Sequence, residues 1–349
     1  MPASPIRKLA PLADAAKQRG THVFHLNIGQ PDLPTPQVAI DAIRNIDRKV
    51  LEYSPSAGYR SYREKLVGYY DKYNIKLTAD DIIITSGGSE AVLFSFMACL
   101  NPGDEIIVPE PAYANYMAFA ISAGAKIRTI ATTIEEGFSL PKVEKFEELI
   151  NDRTRAILIC NPNNPTGQLT SRELLVQILD TCRLVGAHLL IDECFMDFVS
   201  EEKAFSMRDL LATYPELVIL KAFTKTFAMP GIRLGYCLSG SSELITALHQ
   251  SGQDWNVSIL AQEAGKAALK EHEYLAKSFK LIEQERSYLR NRLAALGAKV
   301  YGSEANYIFF YLPQPENLPE LLHERGYLIR SCANYHNLQA GYYRIAVKT

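Results

Sequence analysis

The chain has 349 residues, 47% of them hydrophobic and 22% charged, and 37 Lys and Arg against 39 Asp and Glu leave a formal net charge of −2. That balance excludes a field that would draw in nucleic acid or an anionic membrane, and the longest apolar runs fall short of the ~20 residues of a membrane span. At roughly 100–200 residues per domain, the length points to two domains.

The N-terminal Met1-Pro2-Ala3-Ser4-Pro5 lacks the charged-then-apolar order of a signal peptide. Ile82-Ile83-Ile84-Thr85 reads as a buried strand, and Gly87-Gly88 turns it into a helix that Asn101-Pro102-Gly103-Asp104 stops. Ile106-Ile107-Val108 is the next strand, followed by a helix over 112–123. Further strands fall near 126–130, 156–160, 188–192, 218–221 and 234–238. Seven strands alternating with helices imply an α/β fold, a mostly parallel sheet covered on both faces. After Trp255 the pattern changes. A charged amphipathic stretch over 271–296 leads to strand-like runs at 298–301, 306–311 and 342–347 and a short helix near 318–324, which reads as a smaller α+β domain. The six cysteines, at 99, 160, 182, 194, 237 and 332, contain no C-x-x-C pair. They read as reduced thiols in a cytoplasmic protein, with no zinc site.

Ligands of open α/β sheets sit at the carboxyl ends of the strands, and chemistry-bearing residues recur there. Thr85-Ser86-Gly87-Gly88-Ser89-Glu90 joins a strand to a helix, so Gly88, Ser89 and Glu90 offer main-chain donors and a helix N-terminus to a phosphate; a plain strand–helix turn is the alternative. The run is neither G-x-G-x-x-G nor a P-loop, which disfavours a nucleotide. Tyr113 follows the next strand, either a ring to stack on a flat ligand or a core aromatic. Asn161-Pro162-Asn163-Asn164-Pro165-Thr166-Gly167 follows Ile157-Leu158-Ile159-Cys160. Asp192 ends His188-Leu189-Leu190-Ile191, and a carboxylate at a buried strand end needs a cationic partner. Thr224-Lys225-Thr226 precedes Gly231-Ile232-Arg233-Leu234-Gly235.

This last segment resembles the Schiff-base segment of pyridoxal-phosphate enzymes of the aspartate aminotransferase superfamily, and the order of motifs from about residue 25 to 347 is similar to that of class I and II aminotransferases. The resemblance implies the fold of that family and its division here into an N-terminal arm with part of the small domain (1–43), a large cofactor domain (44–256) and a C-terminal small domain (257–349). It implies that Lys225 holds pyridoxal 5'-phosphate and then serves as the base. Arg233 and Thr224 meet the phosphate, Asp192 pairs with the pyridine nitrogen, Asn164 meets the phenolic oxygen and Tyr113 stacks on the ring. Tyr53, in Tyr53-Ser54-Pro55, reaches the partner subunit's phosphate across a homodimer. Gly29 closes over the substrate, and Arg344 and Arg330 meet its anionic groups.

The pattern also departs from the family. Phe195 stands where a tyrosine usually contacts the cofactor, and Ala222 where Ser or Thr is common. The second half resembles the histidinol-phosphate aminotransferase and threonine-phosphate decarboxylase branch, and the first half the aspartate and aromatic aminotransferase branch, as in a mosaic. The chain ends directly after a strand, where family members continue into a helix, so a shortened small domain is expected. Transamination from an amino acid or amino-acid-derived phosphate to a 2-oxo acid such as 2-oxoglutarate is the leading expectation. A decarboxylase or lyase is the alternative. A non-catalytic sensor is disfavoured by the full set of site residues.

Overall fold

The computed structural model describes residues 7–348; the N-terminal segment without a leader pattern and the final Thr349 lie outside the described residues. Seven strands occupy the positions read from the sequence: β1 (Ile82–Thr85), β2 (Glu105–Glu110), β3 (Lys126–Ala131), β4 (Thr154–Cys160), β5 (His188–Asp192), β6 (Leu217–Ala222) and β7 (Gly235–Leu238). They form one sheet in the order β1-β7-β6-β5-β4-β2-β3. β7 runs antiparallel to both neighbours and the other pairs are parallel.

The near-continuous apolar runs of β4, β5 and β6 follow from burial on both faces. Alternate residues feed two separate cores. Ile157, Ile159, Leu189, Ile191 and Ile219 pack with Tyr62, Leu66 and Phe223 on one side. Leu158, Leu190, Val218 and Leu220 pack with Val92, Phe94 and Phe96 on the other. Each fully buried side chain of this size contributes about 1.5–3 kcal/mol, so the sheet centre is the rigid part of the molecule. Helices Gly88–Cys99, Asn115–Ser122 and Arg172–Val185 provide crossovers. Helix Ile259–Ala268, not anticipated from the sequence, buries Ala261, Ala264 and Ala268 in the first of these cores.

Helix His272–Ala295 leads to a second, antiparallel sheet. Its strands are β8 (Lys299–Tyr301), β9 (Tyr307–Tyr311), β10 (Arg330–Ser331) and β11 (Tyr342–Ala346), in the order β10-β11-β9-β8. β10 is too short to show a period and was not read from the sequence. The N-terminal arm joins this part of the molecule: Phe24–His25 pairs parallel with Tyr327–Leu328, and Ala346 N donates to Leu26 O at 2.7 Å.

The loop after β4 is stitched to the small sheet. Ser303 N and Glu304 N donate to Thr166 O and Gly167 O, each at 3.0 Å, and the Tyr307 hydroxyl donates to Asn163 O at 2.6 Å. The approach requires glycine at 302, where φ is +45° and a Cβ would stand 2.6 Å from Thr166 O. Gly302→Ala should therefore destabilise the chain by about 2–3 kcal/mol, read as a lower midpoint in thermal or urea unfolding. An unchanged midpoint would show that the stitching contributes nothing.

Candidate active site

A cavity of about 240 Å³ opens at the carboxyl end of the large sheet, between it and the small sheet. Most strands of the large sheet bring residues to it. Gly88 and Ser89 come from the N-terminus of helix Gly88–Cys99, Tyr113 follows β2, and Asn164 lies in the loop after β4. Asp192 ends β5 with Phe195 in the turn beyond it, and Thr224 and Lys225 follow β6. Arg233 precedes β7, Arg344 comes from β11 and Gly29 from the arm. Residues scattered over more than 300 positions of sequence thus share one wall, most of them because they follow the end of a strand of the large sheet.

Lys225 is part-buried, and its Nζ donates to Gly29 O at 2.7 Å and lies 5.7 Å from the centre of the Phe195 ring. Asp192 is buried; its Oδ2 accepts from the Tyr116 hydroxyl at 2.7 Å and its Oδ1 from Cys194 N at 3.0 Å. The buried Arg344 guanidinium spans the two sheets. Its Nη1 donates to Asn164 Oδ1 at 2.6 Å and its Nη2 to Asn27 O at 2.9 Å, while Nε is buried without a partner. Arg233, in a left-handed conformation at φ +57°, lies exposed at the rim with Nη1 on Pro230 O at 3.0 Å.

Three expected site residues are not in this wall. The Glu90 carboxylate folds back, its Oε2 accepting from Ser86 N at 2.6 Å and Asn256 Nδ2 at 2.7 Å, so side-chain contact with the cavity gives way to bracing the turn. Tyr53 is 76% exposed and stacks on Trp255 at 4.7 Å. Arg330 is buried one strand further out, opposite Arg344 in register, with Nη2 on Asn334 Oδ1 at 2.7 Å. Conversely, Tyr116 and Tyr307 line the cavity and were not singled out. Tyr116 lies three residues after Tyr113, at the start of the helix that follows it, a closeness that could have flagged it; Tyr307 sits in an apolar run and reads as core.

The electrostatics centre on Lys225. Loss of water around the amine, and then the Arg344, Arg233 and Lys348 cations against the opposing influence of Cys194, lower its pKa from 10.5 to about 8. Burial and the Asp192 charge push the Tyr113 and Tyr116 phenols up; Tyr116 donates to Asp192, whereas the Tyr113 hydroxyl accepts from Asn115 Nδ2 at 2.9 Å. An unfolded lysine keeps its proton to about 10.5 whereas the folded one releases it near 8. Across that window the unfolded chain binds more protons and stability rises with pH; below it both states are charged and the burial penalty is complete. Competitive labelling of Lys225 in cofactor-free protein should give a midpoint near 8, and Arg344→Gln should raise it by removing a cation. A midpoint unmoved by that substitution would refute the coupling.

Residues 21–349 match the family model for aminotransferase class I and II. An aspartate aminotransferase of Thermotoga maritima is 30% identical over 318 residues, which cover 89% of this chain and 82% of that protein. A threonine-phosphate decarboxylase of Salmonella typhimurium is 29% identical over 328 residues, 93% of this chain and 86% of that one. The crystal structure of the Thermotoga maritima aspartate aminotransferase superposes with a TM-score of 0.90 at 27% identity, over 99% of this chain and 92% of the other. With a family match over nearly its whole length and a shared architecture, the chain belongs to the class I and II aminotransferases and is a pyridoxal-phosphate-dependent aminotransferase.

Proposed function

We propose that this cavity is the cofactor and substrate site, with Lys225 as anchor and proton carrier, and that the enzyme acts on amino acids with an anionic side group. The observation that carries the reading is that one cavity brings together an amine of lowered pKa, a buried carboxylate and arginines on both sheets.

The residues present fit pyridoxal phosphate. A Cβ at Gly87 would come within 2.7 Å of Arg233 Nη2, so the bare backbone there leaves the guanidinium room to meet a phosphate beside Ser89, Thr224 and the helix N-terminus of Gly88. Asp192, oriented by Tyr116 and the Cys194 amide, suits a protonated pyridine nitrogen. Tyr113 offers its ring face and Asn164 its amide to the phenolic oxygen. When bound, the group supplies an electron sink that weakens one bond at the substrate Cα. With the group bound, Lys225 Nζ, which donates to Gly29 O at the cavity wall, would be the base that takes the proton from the substrate Cα. Arg344, whose buried Nε lacks a partner, would fork onto the α-carboxylate. Phe195 contributes a ring and no hydroxyl, so burial and the arginines do the work of keeping the lysine pKa low.

Arg330 lies outside the cavity wall, buried beside Arg344 across the small sheet with Nη2 on Asn334, and adds positive charge behind Arg344. A dicarboxylic amino acid paired with 2-oxoglutarate suits that doubled positive charge. The same pair, with the similarity to the Salmonella typhimurium decarboxylase, favours a second reading: decarboxylation of a phosphorylated amino acid. The exposed Tyr53–Trp255 stack, with Val50 72% and Leu51 62% exposed, is the surface we assign to a second copy of the chain, whose site Tyr53 completes. Six unpaired, buried cysteines support a cytoplasmic setting; no helix among the described residues is long and apolar enough to cross a membrane. We divide the chain into arm, large domain and small domain as expected, but count helix Ile259–Ala268 with the large domain because its apolar face lies in that core.

Borohydride reduction of the loaded enzyme should leave the cofactor's mass on the peptide carrying Lys225. Lys225→Ala should lose at least about 10²–10⁴-fold in rate; full activity in that variant would overturn the assignment. In a screen of aspartate, glutamate and phosphothreonine with 2-oxoglutarate, glutamate formation from aspartate supports transamination. Release of CO₂ from phosphothreonine without amino transfer supports the second reading.

A further inference from the structure

The turn that carries Asp192 and the turn that carries Lys225 are joined by a carboxylate outside the cavity. Asp197 lies five residues beyond Asp192, and its side chain is 8% exposed. Its Oδ1 accepts from Lys221 Nζ at 2.7 Å, and its Oδ2 accepts from the Thr226 hydroxyl. Lys221 belongs to β6, and its Nζ also donates to Glu193 O at 3.1 Å. Thr226 directly follows Lys225. Three side chains therefore fasten residues 192–197 to residues 221–226.

The fastening is set in a buried ionic cluster. Arg208 lies with Nη1 3.9 Å from Asp197 and Nε 3.2 Å from Glu193 Oε2, and its Nη2 pairs with Glu202 at 2.8 Å. The Glu193 carboxylate is further held by the Ser206 hydroxyl and Met207 N, at 2.9 Å each. A cluster of this kind is a weak source of stability, because desolvation offsets much of the attraction. What it does supply is fixed geometry. The Lys225 turn has need of that: Phe223–Thr226 is a four-residue helix with no side-chain cap, and so short a helix has too few internal hydrogen bonds to hold its own shape. Among the described residues Asp197, Lys221 and Thr226 are absent from the cavity wall, so they act through the residues they hold.

We propose that Asp197 is a positioning residue: through the Thr226 hydroxyl it fixes the turn that presents Lys225, and through Lys221 it keeps that turn in register with the turn that presents Asp192. The proposal rests on the assignment of Lys225 and Asp192 above. Releasing the hydroxyl lets the amine wander and gain solvent, while Arg344 and Asn164, on other elements, go on holding the substrate. The turnover step suffers and substrate binding does not.

The test compares Thr226→Val, which keeps shape and loses the hydroxyl, with Thr226→Ser, which keeps the hydroxyl, in the full chain with and without pyridoxal phosphate. With the cofactor, Thr226→Val should lower kcat by about 10–100-fold with KM nearly unchanged, and Thr226→Ser should restore it. Without the cofactor, the labelling midpoint of Lys225 should rise above its value near 8 in Thr226→Val and stay in place in Thr226→Ser. A Thr226→Val protein that loses only thermal stability, with kcat and the Lys225 midpoint as in the parent, overturns the proposal. If that variant does not fold, Thr226→Ala carries the same comparison. Should borohydride fail to attach the cofactor to Lys225 in the parent protein, the site assignment falls and takes the proposal with it; attachment in the parent with an unaltered Thr226→Val overturns the proposal alone.

Discussion

An amine withdrawn from water must give up its proton easily or find an anion, and in this chain Lys225 is given cations for neighbours. That choice governs the site. A carboxylate would favour the charged amine, but Asp192 accepts from the Tyr116 hydroxyl and the Cys194 amide, and the lysine donates to Gly29 O instead. Arg344 and Arg233 act in the opposite sense and keep the amine's pKa low. The result is an amine whose pKa is brought down to about 8 by burial and like charge.

The architecture makes this arrangement tolerable. Side chains of β4, β5 and β6 alternate between two dry cores, so the strand ends are fixed points from which polar residues can project. The second sheet approaches over the loop after β4, and backbone hydrogen bonds at Ser303 and Glu304 tie the two together. Asn164 and Arg344, 180 positions apart in sequence, consequently meet at 2.6 Å. Arg344 thereby ties the small sheet to the loop after β4 at the cavity wall.

Much of this was legible in the chain. Parallel strands buried on both faces announce themselves as apolar runs, and the polar residues that end or closely follow them, Asp192 and Lys225 among them, stand out there. The N-P-x-N-P-T-G run carries its own signal. What escaped reading depends on tertiary meetings. Tyr116 and Tyr307 are aromatic residues in apolar surroundings until the fold turns them toward the cavity. Helix Ile259–Ala268 is rich in alanine and weakly periodic, and β10 has two residues. Arg330 has the type and strand position of a ligand-binding arginine, but its place one strand outside the cavity wall follows from the register of β10 against β11, which no spacing in the sequence reveals. The Asp197 tie needs two turns to meet, and in sequence it is one acid among 39.

The central claim is that Lys225 is the cofactor's covalent anchor within the constellation formed by Asp192, Asn164 and Arg233. A crystal structure of the chain with pyridoxal phosphate tests it most directly. The account predicts continuous density from Lys225 Nζ to the cofactor, the Asp192 carboxylate on the ring nitrogen and Arg233 on the phosphate. A cofactor bound elsewhere, or bound here with the Lys225 amine still free on Gly29 O, would contradict it.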